Sequence, residues 1–261
     1  MVIVITGGSS GIGLETAKLY AEDKNNKVYV LNRRAVDIQN VVSLSCDITK
    51  DEDIQNSLNY IQLHSGNRVD LLINNAGMGI SGAIENHDLE DIKRIVDVNL
   101  IGLVNVTRRF IPLLRESRGM IINVSSVAGP ISIPFQTMYS ATKSAVLGFS
   151  NGLRNELRPY GVRVTSILPG DTKTGFTDAR KKNIGNSNYG DRVEKSVSKM
   201  EKDERNGVPA SKVAKLIHKV SKKKNPNTYY VVGTSYKFLV FLSRILPKRF
   251  VSWLVYRLYA K

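Results

Sequence analysis

Short runs of β-branched and other apolar residues alternate along the chain with longer stretches of amphipathic spacing. The short runs predict strands at 2–6, 27–32, 42–46, 69–74, 120–125, 162–168 and 228–232. The longer stretches predict helices at 11–23, 51–65, 88–116, 138–159 and 209–224, whereas the connection at 33–41 is too short for one. Nearly continuous apolar strands separated by helices are typical of α/β proteins. We therefore expect a doubly wound parallel sheet of about seven strands flanked by helices on both faces.

Two regions interrupt this alternation. Residues 171–207 are polar and irregular, except that Val193, Val197 and Met200 recur at helical spacing and predict one short helix. A long insertion after a strand is typical of a functional lid or a disordered loop. Residues 234–261 are aromatic and basic, and Pro247 divides them into two predicted helices. We expect a nucleotide-binding domain at 1–233, with a substrate lid at 171–207, followed by a basic amphipathic tail.

The chain has 261 residues and a net charge of +15, and the excess positive charge lies near its C-terminal end. No acidic residue follows Glu204, whereas thirteen Lys and Arg residues do. The nearly neutral body argues against nucleic acid as a partner. The single cysteine, Cys46, excludes an internal disulfide, and the scattered histidines give no metal-ligand spacing, so we expect no metal. Since no apolar run approaches the ~18 residues of a membrane span and no secretory signal precedes the first strand, we expect a cytoplasmic protein.

The first predicted strand leads directly into a glycine-rich segment, Thr6-Gly7-Gly8-Ser9-Ser10-Gly11-Ile12-Gly13, and then into a helix. Glycine permits a tight turn against a phosphate, and the helix N-terminus supplies NH groups and a positive dipole, which favours a nucleotide site. A plain strand-to-helix turn would use glycine as well. After the second strand, Arg33 and Arg34 stand where an acid would bind the ribose 2′-hydroxyl of NAD, which favours the 2′-phosphate of NADP. A solvated basic turn is the alternative.

Four polar residues outside the glycine-rich segment are suited to carbonyl chemistry. Tyr139 and Lys143 are four residues apart on a predicted helix, so the phenol and the ammonium share one face, where the cation can stabilise the phenolate. Ser126 follows a strand and can donate a hydrogen bond to a substrate oxygen. Asn99 interrupts an apolar stripe. Taken singly, each has a plain structural explanation, since a stripe asparagine is more often a satisfied core amide.

Taken together, these motifs resemble the classical short-chain dehydrogenases/reductases. The resemblance is carried by Thr6-Gly7-x-x-x-Gly11-x-Gly13, Asn74-Asn75-Ala76-Gly77, Asn99, Ser126, Tyr139-x-x-x-Lys143 and Pro169-Gly170, in the family's order and spacing. It covers residues 1–170 closely and extends more loosely to about residue 233. It implies a Rossmann-type fold and an oxidoreductase. The family commonly pairs subunits through the helices predicted at 88–116 and 138–159, which implies a homodimer or homotetramer.

The resemblance also implies a role for each matching residue. Tyr139 would be the acid/base. Lys143 would lower its pKa and hold the nicotinamide ribose. Ser126 would polarise the substrate carbonyl, and Asn99 would hold a water of the proton relay. The implied cofactor contacts, besides Tyr139 and Lys143, are Gly7, Ser9, Ser10, Gly11, Ile12, Gly13, Asn32, Arg33, Asp47, Ile48, Asn75, Ala76, Gly77, Pro169, Gly170, Thr172 and Thr174. NADP(H) is the expected cofactor, with NAD(H) as the alternative because Ser10 replaces a base that usually precedes the second motif glycine.

The tail combines bulky apolar residues with bases and carries no acid. Phe238, Leu242 and Ile245 share one face of its first half, and Phe250, Trp253, Leu254 and Leu258 cluster on its second. This composition is typical of a helix lying on an anionic membrane surface. The tail could instead cover the substrate pocket or pack against another subunit. A membrane location would favour a lipophilic substrate of steroid, retinoid-like, sphingoid or fatty-acyl type.

The sequence therefore predicts an NADP(H)-dependent oxidoreductase that interconverts a carbonyl and a secondary alcohol on a lipophilic small molecule. We expect it in the cytoplasm, with peripheral attachment to the inner face of a membrane as a further option. The alternative is a catalytically silent NAD(P)-binding sensor or scaffold that its basic tail holds at a membrane surface. The intact set of Asn99, Ser126, Tyr139 and Lys143 favours the enzyme.

Overall fold

A computed structural model describes residues 1–185 and 187–261 and has one central sheet of seven parallel strands. In chain order the strands are β1 Val2–Thr6, β2 Lys27–Asn32, β3 Val41–Ser45, β4 Leu71–Asn74, β5 Met120–Val124, β6 Arg163–Pro169 and β7 Tyr229–Val232. Their order across the sheet is β7-β6-β5-β4-β1-β2-β3. Each predicted strand is present, with ends shifted by no more than two residues. The direction of the strand order reverses between β1 and β4, and a crevice for a ligand forms at the carboxyl ends of strands at such a point.

Ten helices surround the sheet within the described part of the chain. They are α1 Gly11–Ala21, α2 Asp51–Ser65, α3 Leu89–Val96, α4 Leu103–Ser117, α5 Thr137–Leu157, α6 Phe176–Ala179, α7 Arg192–Arg205, α8 Ala210–Ser221, α9 Thr234–Ile245 and α10 Lys248–Tyr259. Helices α1 and α8 cover one face of the sheet, and α2, α4 and α5 cover the other. As predicted, no helix connects β2 to β3.

The apolar strands are explained by burial on both faces. In β1, Ile3 and Ile5 pack toward α1 and α8, whereas Val2 and Val4 pack toward α2 and α4. Because successive side chains point to opposite faces of the sheet, every position of such a strand enters a core. This two-sided burial produces the continuous apolar runs that mark the strands in the sequence.

The predicted helix at 88–116 is three elements rather than one. A π-helical turn, Asp97–Gly102, joins α3 to α4 and contains Asn99. Single π-helical turns inside α-helices are frequent at functional sites. The 3.6-residue periodicity used for the prediction carries no information about the extra residue in such a turn, so the sequence did not predict it.

The lid at 171–207 is tied to the body by two short pairs of parallel strands. Thr172–Lys173 pairs with Val208–Pro209, and Lys181–Asn183 pairs with Ile80–Gly82. The short helix predicted in this region is α7, and its residues Val193, Val197 and Met200 are buried as expected. The lid therefore has a defined position next to the carboxyl ends of the strands.

The tail forms α9 and α10, which are separated at Pro247 as predicted. Val240 and Val255 are buried against Leu168, Val231 and Ile131 of the body. The other side of both helices is exposed. Among the described residues, no helix has the length and apolarity that crossing a membrane requires.

Candidate active site

The glycine-rich turn after β1 is held in place by Asn75. The Asn75 side-chain amide donates hydrogen bonds to the carbonyls of Thr6 and Gly7 at 3.1 and 3.0 Å. Gly7 has a φ of +70°, which non-glycine residues rarely adopt. A Cβ at Gly13 would lie 2.2 Å from the Gly7 carbonyl oxygen, so α1 can approach the turn this closely only through glycine. The turn and the start of α1 thus form a cradle of backbone NH groups suited to a diphosphate.

The end of β2 offers groups for an adenosine ribose. Asn32 is buried, and its Oδ1 has no hydrogen-bond partner among the described residues, so this acceptor is free for a ribose hydroxyl. Arg33 and Arg34 line the same end of the cavity and are exposed. Burial opposes ionisation of Asp47, but hydrogen bonds from Thr49 and the charge of Arg33 outweigh it and hold the pKa of that carboxyl below its usual value. The orphaned acceptor and the two cations fit a phosphorylated adenosine ribose.

The predicted catalytic residues meet where β5 ends beside α5. The Ser126 hydroxyl lies near enough to the Tyr139 phenol to lower its pKa, and the Lys143 ammonium lies 5.8 Å from the centre of the Tyr139 ring. Lys143 donates a hydrogen bond to the Val124 carbonyl at 3.0 Å. The position of Tyr139 one turn before Lys143 on α5 therefore places both polar groups at the same strand end, as the spacing predicted.

Burial dominates the electrostatics of Tyr139 and Lys143. Burial raises the pKa of Tyr139 to about 12, and the groups that oppose the rise are Ser126 and Arg180. The predicted effect of Lys143 on this pKa stays a prediction. Burial lowers the pKa of Lys143 to about 8, so it remains largely protonated at neutral pH. Tyr139 is therefore held as a neutral phenol that can donate a proton.

Asn99 lies behind this group rather than in the cavity. Its Oδ1 accepts a hydrogen bond from the Met78 NH at 2.8 Å, and its Nδ2 donates to the Met78 carbonyl and to the Thr142 hydroxyl. The side-chain amide is thus engaged in holding the loop after β4. The π-helical turn positions Asn99 for these bonds. Its predicted part in a proton relay stays a prediction, and the side chain supports the loop that carries Gly77 and Met78.

One cavity of about 1070 Å³ contains nearly all of the predicted site. It is lined by every predicted catalytic and cofactor-binding residue except Asn99 and Gly13. Asn99 supports the Met78 loop, and Gly13 packs against the turn, so both act from behind the wall. The residues that the sequence motifs grouped as one site therefore lie around one cavity in the fold.

The half of the cavity that extends beyond Tyr139 was not predicted residue by residue. Phe176 of the lid lies with its ring 5.7 Å from that of Tyr139, and Met200 and Glu204 of α7 also line the wall. The tail completes this half with Tyr236, Leu239, Val251, Leu254, Val255, Leu258 and Tyr259. Of the three placements weighed for the tail, covering the substrate pocket is the one that these contacts match. In the sequence, only the apolar and aromatic composition of the tail indicated a contact with the cavity.

Comparison with known proteins shows the family to which this chain belongs. Residues 1–185 match the family model for short chain dehydrogenases. The chain belongs to the short-chain dehydrogenase family. The dehydrogenase is 38% identical over 260 residues to a 3-ketodihydrosphingosine reductase of Bacteroides thetaiotaomicron, which covers 97% of this chain and 93% of that protein. It is 36% identical over 229 residues to a serine 3-dehydrogenase of Rhizobium radiobacter, with 84% and 87% covered.

One solved structure resembles nearly the whole of the dehydrogenase, and others resemble most of it. A short-chain dehydrogenase from Streptomyces avermitilis superposes with a TM-score of 0.82 at 26% identity and covers 98% of this chain and 95% of its own. A serine dehydrogenase complexed with NADP+ has a TM-score of 0.76 at 26% identity, with 89% and 94% covered. A 3-ketoacyl-(acyl-carrier-protein) reductase from Brucella melitensis, complexed with NADH, has a TM-score of 0.74 at 26% identity, with 88% and 96% covered.

These comparisons confirm the predicted family, the Rossmann-type fold and the enzyme class. The dehydrogenase is an NAD(P)-dependent oxidoreductase that acts on a small molecule. The choice between NADP and NAD, the substrate, the subunit arrangement and the membrane contact remain predictions, as do the individual roles of the site residues.

Proposed function

We propose that this dehydrogenase uses NADPH to reduce the 3-keto group of a long-chain sphingoid base at a membrane surface. The observation that carries the proposal is the continuity of one cavity from the Tyr139 phenol to an apolar wall built by the tail. Leu239, Val251, Leu254 and Val255 line that wall. Such a wall suits an alkyl chain that extends from the reacting carbonyl.

The residues beside the carbonyl would act as follows. The turn after β1 and Arg33 would hold NADPH, which when bound would supply a hydride for the carbonyl carbon. Tyr139 transfers its phenolic proton to the oxygen, which completes the secondary alcohol. Ser126 orients that oxygen by donating a hydrogen bond to it. Lys143 places a positive charge near the phenol as it loses its proton, which stabilises the phenolate. Tyr139 enters this step as a neutral phenol, the form that can donate the proton.

The relatives support both parts of the substrate. The Bacteroides thetaiotaomicron protein is named for a 3-ketodihydrosphingosine, a 3-ketone with a long alkyl chain, and it matches this chain over 97% of its length, tail included. The choice of NADPH is supported by the site itself. Two exposed cations, Arg33 and Arg34, flank the free Oδ1 of Asn32, and no acid replaces them at the end of β2.

The membrane surface is supported by the outer side of the tail. Phe238, Phe241, Ile245 and Trp253 are 63, 57, 63 and 52% exposed, which is unusual for residues of this size. Exposed bases surround them: Lys237, Arg244, Lys248, Arg249 and Arg257. Without any acid in the tail, this surface is complementary to anionic lipid headgroups, while its aromatic side chains suit the acyl boundary. A lipophilic ketone could then enter the cavity from the bilayer on which the tail rests.

The experiment that tests the substrate measures NADPH oxidation by purified protein with 3-ketosphingoid bases of increasing alkyl length. Each methylene group that the tail wall buries should raise kcat/KM by about fourfold, which corresponds to ~0.8 kcal/mol. The variant Leu239→Asn should flatten this slope. Phe238→Asn is the matched control, because Phe238 is the exposed neighbour on the same helix. Equal kcat/KM at all chain lengths would overturn the proposed substrate.

A further inference from the structure

Asp171 is the first lid residue after the Pro169-Gly170 turn, and it lines the cavity with an incompletely satisfied carboxylate. Its Oδ2 accepts a hydrogen bond from the Tyr236 hydroxyl of α9. In residues 1–185 and 187–261, no base lies within ion-pair distance of it, and its Oδ1 has no hydrogen-bond partner. The carboxylate therefore has one neutral donor and no ion-pair partner among these residues, and the positive charge of Arg180 acts on it only from beyond ion-pair distance.

Other carboxylates of the same wall are neutralised. Glu204 pairs with Arg180 and also accepts a hydrogen bond from the Thr177 hydroxyl. Asp91 pairs with Lys181. A part-buried carboxylate without a cation is costly in free energy unless a ligand supplies one.

The surroundings of Asp171 are consistent with this cost. Burial raises the pKa of the Asp171 carboxyl to about 6. The hydrogen bond from Tyr236 opposes that rise. The other charged or titratable groups that act on the carboxyl come from the lid and the tail: Glu204, Asp203 and Arg180 from the lid, and Tyr259 from α10.

The turn before Asp171 contacts both the segment of Ser126 and the tail. The Pro169 carbonyl accepts a hydrogen bond from the NH of Val127, the residue after Ser126, at 3.0 Å. The Tyr236 ring packs directly on Gly170, where an added Cβ would lie 2.1 Å from it. Tyr236 belongs to the apolar cluster of the tail as well. Asp171 thus follows a turn that contacts both the Ser126 segment and the apolar cluster of the tail, and it lines the cavity that holds Ser126 and Tyr139.

We propose that Asp171 binds the ammonium group of the substrate, with Tyr236 as the positioning residue that orients its carboxylate. This inference rests on the proposed function, because a 3-ketosphingoid base carries its amino group on the carbon next to the ketone. Serine, for which the Rhizobium radiobacter relative is named, also carries an amino group on the carbon beside its C3 hydroxyl carbon. Asp171 then selects amino ketones over ketones of equal length without an amine.

The test compares two ketones, 3-ketodihydrosphingosine and the same molecule with hydrogen in place of the amine, in wild type, Asp171→Asn and Asp178→Asn. Wild type should prefer the amino ketone by about 10- to 100-fold in kcat/KM, the range of a hydrogen bond to a charged group. Asp171→Asn should reduce this preference to within about threefold of unity. Asp178, an exposed lid residue paired with Arg205, is the matched control and should keep the preference.

Binding provides a second readout that is independent of turnover. Titration of the protein with dihydrosphingosine and with the amine-free alcohol should show the same preference in wild type and its loss in Asp171→Asn. Thermal unfolding checks that the variant folds, and its midpoint should not fall, because burial disfavours the charge that asparagine removes. If Asp171→Asn keeps the preference, or wild type shows none, the assignment of Asp171 is wrong. If neither ketone is reduced but binding depends on Asp171, the proposed function fails while the ammonium site stands.

Discussion

The exposed aromatic surface of the tail permits a quantitative prediction for the variant Trp253→Ser. Trp253 is 52% exposed and stacks on Phe250 at a centroid distance of 5.7 Å. About half of its ~200 Å² side-chain area is therefore free to enter the acyl boundary of a bilayer. At ~25 cal/mol per Å², burying ~100 Å² contributes up to ~2.5 kcal/mol, or about 70-fold in membrane binding. Because the residue is half exposed, the variant should fold normally.

The assay is co-sedimentation with vesicles that contain anionic phosphatidylglycerol, beside vesicles of neutral phosphatidylcholine alone. Wild type should bind the anionic vesicles more tightly, and added salt should weaken the binding because the tail bases are screened. Leu63→Ser is the matched control, since Leu63 is 81% exposed but lies on α2, away from the tail. The reasoning would be refuted if Trp253→Ser bound anionic vesicles as tightly as wild type, or if Leu63→Ser weakened binding equally.

Three further predictions concern the cofactor, the glycine turn and the pH dependence. In steady-state kinetics, Arg33→Asp should raise the KM for NADPH and lower the KM for NADH, because the acid repels a 2′-phosphate and accepts a hydrogen bond from a 2′-hydroxyl. An unchanged ratio of the two KM values would contradict the NADPH assignment. Gly13→Ala should abolish NADPH binding in a fluorescence titration, because the added Cβ would clash with the Gly7 carbonyl. The control Gly152→Ala should bind NADPH normally, because an added Cβ on that exposed helix surface meets no atom within 4 Å. The preference for the amino ketone should be present above pH ~6 and be lost below it as Asp171 gains a proton. Tyr236→Phe should move that midpoint to higher pH, because it removes a hydrogen bond that lowers the Asp171 pKa. A midpoint unmoved by Tyr236→Phe would exclude the positioning role.

The features that the sequence predicted correctly are those encoded by local patterns. Two-sided burial of β1 makes its apolar run continuous, and Pro247 ends α9 wherever the tail packs. The glycine turn and the spacing of Tyr139 and Lys143 are also local, because they depend on one turn and one helix. Patterns of this kind can be recognised in the sequence without knowledge of distant contacts.

The features that were missed depend on contacts between distant segments. Asp171 and Tyr236 are 65 residues apart, and nothing in either segment signals that they meet. The burial that raises the Tyr139 pKa was missed as well, because it depends on residues distant in sequence. The side of the tail that packs on the body was also missed: it carries Val240 and Val255, whereas Phe238 and Trp253 of the predicted apolar face are exposed. Helical periodicity gave the faces but could not say which one meets the body.

The central claim is tested most directly by the reduction of 3-ketodihydrosphingosine by wild type and Tyr139→Phe, with NADPH oxidation and product formation measured together. We predict that wild type forms dihydrosphingosine with matching NADPH consumption. The variant should lose about 10²- to 10⁴-fold in kcat while still binding NADPH in a fluorescence titration. Equal turnover by the variant would contradict the part assigned to Tyr139. Wild type that binds NADPH but leaves the ketone unchanged, with anionic vesicles present, would contradict the proposed function.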